Sequence, residues 1–283
     1  YEVSESVRAE FFPTPYLSCL VKGCAEKGLD VTRGGAEINF VTLEAVTFAT
    51  TVDSLLAVKY LVFDEKKCTM AELIEALKAN WEGHEAMRQD FLNAPKYGND
   101  DDYADAWAVK ALTRIHDGTL RQVEDAWGWP VTIDGSTAAA FQSSGLGCGA
   151  SPDGRLNGGT MADGTVSPMA GADKQGPTAV LNSVGKIPYM HSQLLNQRFM
   201  PQFLEGENKK LFAQYLREWY EKGTIPHIQF NVMDSKVLRD AQEHPEEYTD
   251  LQVRVAGYSA FWVDLSAETQ DSIIARAEQS LGG

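Results

Sequence analysis

Basic residues are scarce in this sequence, and their scarcity argues against one class of partner. The 283 residues include 25 lysines and arginines against 40 aspartates and glutamates, so the formal net charge at pH 7 is −15. A chain this acidic repels a phosphate backbone unless a local basic patch offsets its charge. The sequence contains no such patch, and we therefore expect no nucleic-acid binding.

Long apolar runs and metal-binding spacings are missing as well. No run approaches the roughly 18–20 apolar residues that a membrane span requires, and no charged-then-apolar signal peptide opens the chain. The chain has four cysteines, Cys19, Cys24, Cys68 and Cys148. They form neither a disulfide framework nor a paired C-x-x-C zinc pattern, and the five histidines are scattered singly. These absences predict a cytoplasmic protein with no membrane span and no metal site.

Helical signals dominate the first hundred residues. Thr69-Met70-Ala71-Glu72 is a capping box, in which a threonine and a glutamate side chain bond backbone amides at a helix start. The nearly all-apolar stretch from Val41 to Phe63 predicts a buried helix or helix pair. The polar stretch 93–103 predicts a turn followed by a solvated helix start.

A glycine- and proline-rich segment, residues 145–178, comes next. It is far longer than an ordinary connection, so it is a functional loop, a linker or an irregular excursion within one fold. It contains neither a G-x-x-x-x-G-K-[ST] phosphate loop nor a G-x-G-x-x-G dinucleotide motif. Its composition alone favours a domain linker.

The C-terminal part alternates helix and strand signals. Residues 208–222 predict an amphipathic helix that Gly223 stops, and residues 226–234 are apolar enough for a buried parallel strand. Residues 254–265 are again strand-like, and Ser266 is placed to cap a last helix. The alternation predicts an α/β fold.

One glycine, Gly257, stands among strand-forming residues in the motif RVAGYS (254–259). Glycine inside a strand costs about 0.5–1 kcal/mol relative to alanine, and the ordinary explanation is a bulge or a tight turn. One chemical use needs glycine specifically. When a hydrogen atom leaves its Cα, the unpaired electron is delocalised over the neighbouring amide and carbonyl groups. Because glycine has no Cβ, that centre can become planar without a steric clash.

The stretch around this glycine, VRVAGYSAFWVDLSAETQDSIIAR (253–276), closely resembles the C-terminal signature of the glycyl radical enzymes. This family includes pyruvate formate-lyase, the glycerol and propanediol dehydratases, choline trimethylamine-lyase and the fumarate-adding synthases. Further blocks resemble the family in its own order: PTPYLSCLVKGCAEKGLDVTRGGAEINF (13–40), GASPDGR (149–155), ADGTVSP (162–168), DKQGPTAVLNSVGK (173–186), LLNQRF (194–199), HIQFNVMD (227–234) and DAQEHPEEY (240–248). The resemblance covers nearly the whole chain.

The resemblance implies the fold and the domain organisation. The chain would be part of a ten-stranded α/β barrel of the glycyl radical enzyme type, with a helix-rich N-terminal half and a C-terminal glycyl radical loop. Residues 1–145 would be the helix-rich C-terminal part of the pyruvate formate-lyase-like barrel domain. Residues 146–283 would be the glycyl radical domain with the final barrel strand and a C-terminal helix. A homo-oligomer is also implied.

The resemblance further implies that Gly257 is the radical site, with Arg254, Val255, Tyr258 and Ser259 as supporting residues of the motif. In the family no cofactor is bound permanently, and a radical S-adenosylmethionine activating enzyme removes the Cα hydrogen after translation. The glycyl radical then oxidises a cysteine on a facing loop to a thiyl radical, which attacks a small-molecule substrate. Such a radical must be buried away from oxygen and water.

The family's thiyl cysteine lies in a G-C-V-E-P-like loop that this chain lacks. Cys24 and Glu26 reproduce the Cys-x-Glu spacing, but no proline follows and the surrounding residues match a different family block. Leu17, Leu20, Val21 and Cys24 fall on one helical face, which predicts a core cysteine in a helix. We therefore expect a C-terminal portion of a longer enzyme, as a fragment or as one subunit of a split enzyme, that is inactive alone. The absence of an initial methionine agrees with this expectation.

The resemblance predicts a glycyl radical lyase of the diol-dehydratase or choline-lyase type, which cleaves a C–C or C–X bond anaerobically. Within the family, the alternatives are a fumarate-adding alkyl- or arylalkylsuccinate synthase, a formate acetyltransferase-like enzyme and an arylacetate decarboxylase. Two alternatives come from other classes: a non-catalytic spare-part subunit that replaces a damaged glycyl domain, and an α/β binding protein with a structural glycine. The residues that distinguish the reactions lie mostly outside this sequence.

Overall fold

Helices make up most of the secondary structure in this computed structural model, which describes residues 2–118, 128–135, 144–188, 193–255, 258–267, 269–271 and 273–274. Within these ranges the strands form two-stranded sheets, and no helix is both long and apolar enough to cross a membrane. The chain folds into two units, Tyr1–Glu44 with Thr113–Asp134 and Ala45–Leu112 with Gly135–Gly283.

The first unit contains short helices and a strand pair: α1 (Glu2–Phe11), α2 (Pro15–Leu20), α3 (Cys24–Lys27), β1 (Val41–Ala45) and β2 (Val131–Gly135). Asp30 organises the loop after α3, because its carboxylate accepts hydrogen bonds from the backbone amides of Thr32 and Thr14 at 2.9 and 3.0 Å. The bond from the Thr32 amide is the main reason that the pKa of Asp30 lies well below its usual range.

The predicted helical face with Leu17, Leu20 and Cys24 is wrong, because the helix is interrupted. α2 ends at Leu20 and α3 begins at Cys24, and Gly23 between them has φ +97°. A Cβ at Gly23 would lie 2.7 Å from the backbone nitrogen of Glu37, so a larger residue does not fit. Leu17 and Leu20 are exposed, whereas Cys24 is buried.

The apolar stretch from Val41 to Phe63 is not helical throughout, which corrects a second prediction. Its first five residues form β1. The helix α4 (Phe48–Val58) follows and continues as a π-helical segment, Lys59–Asp64. β-branched residues such as Val41 suit a strand, and the partner strand begins only at Val131. Local periodicity could not reveal so distant a partner.

In the second unit, α4 packs with α5 (Met70–Lys78) and α6 (Glu85–Asn93) around a buried apolar cluster. Its members are Ala57, Leu61, Leu73, Ala76, Trp81, Phe91 and Ala94. The predicted capping box at the start of α5 is confirmed. The Glu72 amide donates to the Thr69 hydroxyl oxygen at 3.2 Å, and the Thr69 amide donates to the Glu72 carboxylate at 2.7 Å.

The glycine- and proline-rich segment 145–178 is an irregular excursion within the second unit, so its interpretation as a linker is wrong. Residues 162–168 are all buried. The indole N–H of Trp81 donates to the carbonyl of Arg155 at 3.3 Å. Helix α8 (Pro177–Gly185) begins at the end of this segment. Some glycines of segment 145–178 allow close packing: a Cβ at Gly145 would lie 2.3 Å from the carbonyl oxygen of Gly159.

The polar stretch 93–103 contains the predicted helix start, since α7 (Asp102–Gly118) begins there. The turn before it is not solvated throughout, however. Tyr97 is fully buried, and its hydroxyl donates to the carbonyl of Val166 at 3.1 Å. The turn is thus part of the core, and it meets the excursion.

The C-terminal part of the second unit begins with β3 (Leu195–Phe199), α9 (Asn208–Lys222) and β4 (Ile228–Val232), and β3 and β4 are parallel. The predicted amphipathic helix and the predicted parallel strand are both confirmed, but the strand is only partly buried, since Ile228 and Gln229 are buried and the rest of β4 is half-buried. Gly223 ends α9 at φ +62°, as the sequence indicates. The elements that follow are α10 (Ser235–Glu243), β5 (Gln252–Arg254) and β6 (Ser259–Phe261).

The predicted cap of a last helix is also confirmed. The backbone amide of Thr269 donates to the Ser266 hydroxyl oxygen at 3.4 Å. Ile273 and Ile274, the apolar residues of this final segment, are buried.

Candidate functional site

A hairpin of two short strands flanks the glycine that the sequence singles out. β5 and β6 are antiparallel, and the register pairs Arg254 with Ser259. The Val255 N–H donates to the Tyr258 carbonyl at 2.9 Å and extends the hairpin by one further bond. Residues 256–257, which include the predicted radical site, lie outside the described part of the chain. The described residues on the two sides of this position, Val255 and Tyr258, are joined by that hydrogen bond.

Buried apolar side chains hold both strands of the hairpin. Val253, Val255 and Trp262 are each at most 1% exposed. They belong to one cluster with residues of α10 and the C-terminal segment: Leu238, Ala241, Val253, Val255, Trp262, Ile273 and Ile274. The backbone on each side of residues 256–257 is thus attached to the core.

Arg254 connects the hairpin to the parallel strand pair. Its Nε donates to Oε1 of Gln229 at 3.1 Å, and its Nη1 donates to Oγ of Ser259 at 3.3 Å. Gln229 lies on β4 and is only 6% exposed. One guanidinium group therefore joins the first strand of the hairpin, the second strand and the neighbouring sheet.

The face of β3 and β4 that Gln229 occupies is polar. In the parallel register, Asn196 lies beside Gln229 and Arg198 lies beside Asn231, and alternate residues of a strand share a face. Asn196 is 7% exposed. Among the described residues, neither its amide nitrogen nor its amide oxygen has a hydrogen-bond partner. Because buried polar groups are normally bonded, this face is not explained by stability alone.

The loop of residues 162–168 packs against the same polar face. Arg198 donates to the carboxylate of Asp163 at 3.1 Å, and the backbone N–H of Asn196 donates to the Ser167 hydroxyl oxygen at 2.9 Å. Gly164 has φ +61°, and a Cβ there would lie 2.6 Å from the Ser167 hydroxyl oxygen. Four of the sequence blocks, ADGTVSP, LLNQRF, HIQFNVMD and RVAGYS, therefore converge on one buried polar surface.

Several side chains of the hairpin and of the turn that follows it are exposed. Tyr258 is 47% exposed, Phe261 is 42% exposed and Val263 is 38% exposed. Arg254 and Ser259 are exposed as well.

Comparison with known proteins identifies the family. One family model, described as pyruvate formate lyase-like, matches residues 1–139, and another, described as glycine radical, matches residues 162–263. A trans-4-hydroxy-L-proline dehydratase from Clostridioides difficile is 42% identical over 281 residues, which are 98% of this chain and 35% of that protein. The chain belongs to the glycyl radical enzyme family.

Solved structures show the same fold. The hydroxyproline dehydratase from Clostridioides difficile matches with a TM-score of 0.88 and 41% identity over 97% of this chain and 35% of that one. The B12-independent glycerol dehydratase from Clostridium butyricum matches with a TM-score of 0.87 and 39% identity over 96% and 35% of the two chains. The predicted fold class, part of a glycyl radical enzyme barrel, is confirmed. The chain spans about a third of the length of these relatives.

The cysteine that the sequence analysis rejected as the thiyl site of this glycyl radical enzyme has a structural role. Cys24 is buried at the start of α3, as expected for a core cysteine of a helix. The Glu26 carboxylate accepts a hydrogen bond from the Gly23 amide at 3.0 Å and thereby caps α3. Within the described ranges, no group of three or more His, Cys, Asp or Glu side chains could hold a metal ion.

A second polar site, which the sequence analysis missed, is a cavity of about 750 Å³ in the second unit of this glycyl radical enzyme chain. Asp53, Lys96 and Asp153 lie in its wall. Oδ1 of Asp53 accepts a hydrogen bond from the Tyr97 amide at 2.9 Å, and Oδ2 has no partner among the described residues. Burial raises the pKa of Asp53 to about 7 and lowers that of Lys96. The only feature of the sequence that could have pointed to this site is Asp53, a charged residue inside the otherwise uncharged helix α4.

Proposed function

We propose that this chain carries the radical-storing part of a glycyl radical lyase and that Gly257 stores the radical. One observation carries the proposal: the glycine-radical family model spans the RVAGYS motif (254–259), and the described residues of that motif form a hairpin around position 257. The relatives reported above are dehydratases by name, which favours loss of a substituent from a small substrate.

The contacts of the supporting motif residues agree with this role. Val255 is buried and bonds Tyr258 across the hairpin, and Arg254 bonds Ser259. These contacts fix the backbone on both sides of Gly257. A fixed position favours hydrogen-atom transfer, because the reacting atoms must meet at about 3–3.5 Å.

The thiol that receives the radical belongs, in this proposal, to a portion of the enzyme that the chain does not include. The chain spans 35% of the hydroxyproline dehydratase, and its sequence has no G-C-V-E-P-like loop. An upstream portion, on the same polypeptide or on a partner subunit, would place a cysteine against the hairpin. The thiol would give its hydrogen atom to the Gly257 Cα, which restores glycine and leaves a thiyl radical to attack the substrate.

The lyase is favoured over a spare-part subunit, because such a subunit resembles only the last stretch of the family. Here the pyruvate formate lyase-like model also covers residues 1–139. The proposal further includes activation by a radical S-adenosylmethionine enzyme, a homo-oligomer, a cytoplasmic location and the division into residues 1–145 and 146–283. Family membership supports these properties.

Radical formation tests the proposal. The chain, combined with the upstream portion, would be incubated anaerobically with an activating enzyme and S-adenosylmethionine and then examined by electron paramagnetic resonance. We expect an organic radical signal and, after brief exposure to air, backbone cleavage at Gly257 that mass spectrometry detects. Gly257→Ala should abolish both the signal and the cleavage.

Gly149→Ala is the matched control, because a Cβ at Gly149 meets no atom within 4 Å. This variant should keep the radical signal and the cleavage. The assignment is refuted by a signal that survives Gly257→Ala, or by the absence of any signal from the complete enzyme.

A further inference from the structure

We propose that Gln229 is a positioning residue for the radical hairpin, and that its side-chain carbonyl sets the place of Gly257 by holding Arg254. This inference rests on the proposed function of Gly257. It adds a residue outside the RVAGYS motif, 25 positions before Arg254 in the sequence. Gln229 would act through Arg254 and would not touch the reacting atoms.

The geometry places this contact at the base of the hairpin. Oε1 of Gln229 accepts a hydrogen bond from Nε of Arg254 at 3.1 Å, and the register pairs Arg254 with Ser259. Nη1 of Arg254 also donates to Ser259. The guanidinium group is rigid and planar, so the bond to Gln229 fixes its orientation toward both strands. A shift of Arg254 would therefore move the backbone on both sides of residues 256–257.

The strand pair offers Gln229 a fixed platform. β4 pairs with β3 over five residues, and Gln229 is 6% exposed. The acceptor is therefore buried on a regular strand and cannot follow the hairpin if the hairpin moves. A hydrogen bond from a charged donor to a neutral acceptor is stronger than one between two neutral groups.

The composition of this face also favours positioning over stability. Asn196, the neighbour of Gln229 on β3, is buried, and its carboxamide has no hydrogen-bond partner among the described residues. A buried carboxamide without a partner is unfavourable, and an apolar side chain would avoid that cost. A neutral carboxamide such as that of Gln229 is instead useful for orienting a guanidinium group, because its oxygen accepts a hydrogen bond without adding charge.

Gln229→Met tests the inference, because methionine keeps most of the side-chain volume and removes the acceptor. In this chain, we expect the Val255 amide, which bonds Tyr258, to exchange with deuterated solvent about tenfold faster. In the complete enzyme, we expect kcat per unpaired spin to fall about tenfold with little change in KM, since misplacement affects transfer more than substrate binding.

Gln229→Glu should restore slow exchange and turnover, because its carboxylate still accepts from Arg254. Gln197→Met is the matched control: Gln197 is a buried glutamine on the opposite face of the same strand pair, and its loss should leave Val255 exchange unchanged. Should Gln229→Met fail to fold, Arg254→Met removes the donor at an exposed position and should give the same faster exchange.

Failure of the inference is distinguishable from failure of the proposed function. If the unsubstituted enzyme forms no radical that depends on Gly257, the proposed function is wrong. If it forms that radical, and Gln229→Met keeps both the turnover per spin and the Val255 exchange rate of the unsubstituted protein, Gln229 does not position the hairpin.

Discussion

The two faces of the β3–β4 pair differ: one carries aromatic side chains and the other carries polar ones. On one face, the ring of Phe199 lies 5.2 Å from that of Phe212 in α9 and 6.0 Å from that of Phe230, between centroids. On the other face, Gln229 bonds Arg254 of the hairpin. Apolar contact stabilises over a range of arrangements, whereas a hydrogen bond requires one geometry. The comparison indicates that one face supports the fold and the other orients the site.

Phe199→Ala should have the largest effect on stability. Phe199 is 5% exposed and contacts several rings, so its truncation leaves a cavity between α9 and the sheet. Such substitutions cost about 3–5 kcal/mol of unfolding free energy. Urea denaturation of the chain measures the loss, with the exposed Phe261→Ala as control. A loss below about 1 kcal/mol would mean that the aromatic face does not support the fold.

Asp53 tests whether a buried polar group outside this sheet is also unfavourable for stability. Its pKa is raised to about 7, so between about pH 4 and pH 7 the folded protein binds more protons than the unfolded protein. The free energy of unfolding should therefore be largest at the acidic end of this window and fall as the pH rises through 7. The full effect of a shift this large is about 4 kcal/mol.

Asp53→Asn should remove this fall, because asparagine cannot ionise and its amide oxygen can still accept from the Tyr97 amide. Comparing urea unfolding at pH 5 and pH 8 measures the difference between the variant and the original chain. Lys96 attracts the Asp53 carboxylate and Asp153 repels it, and the pKa of about 7 already includes both effects. The change between pH 5 and pH 8 should be smaller than the full value, because part of the loss in stability occurs below pH 5. Asp250→Asn, at an exposed site, is the control. An unchanged pH dependence in Asp53→Asn would contradict the assignment.

The sequence predicts correctly those helix ends that depend only on neighbouring residues. The box at Thr69, the stop at Gly223 and the cap at Ser266 each depend on residues within one turn of a helix. β1 could not be predicted in the same way, because its partner lies beyond Val131 in the sequence. Gly23 interrupts a helical pattern because of a close approach to Glu37, which no periodicity shows.

The residues of the candidate site also differ in whether local sequence could predict them. The motif resemblance led directly to Gly257 and its neighbours, because the motif is contiguous. Gln229 and Asn196 could not be assigned a role, because their place beside the hairpin depends on the pairing of β3 with β4 and on a contact across 25 residues. Asp53 was visible only as a charge within an apolar helix, and burial is what gives it an unusual pKa.

Asn196→Leu should have the smallest effect, and it examines the polar face most directly. Leucine is close to asparagine in shape, and the substitution removes a buried carboxamide that has no partner among the described residues. The backbone bond from residue 196 to Ser167 remains, because it does not involve the side chain. We expect the free energy of unfolding to stay the same or to rise by up to about 1 kcal/mol, measured by urea denaturation. A loss of more than about 2 kcal/mol would show that the carboxamide stabilises the fold, and the contrast between the two faces would then fail.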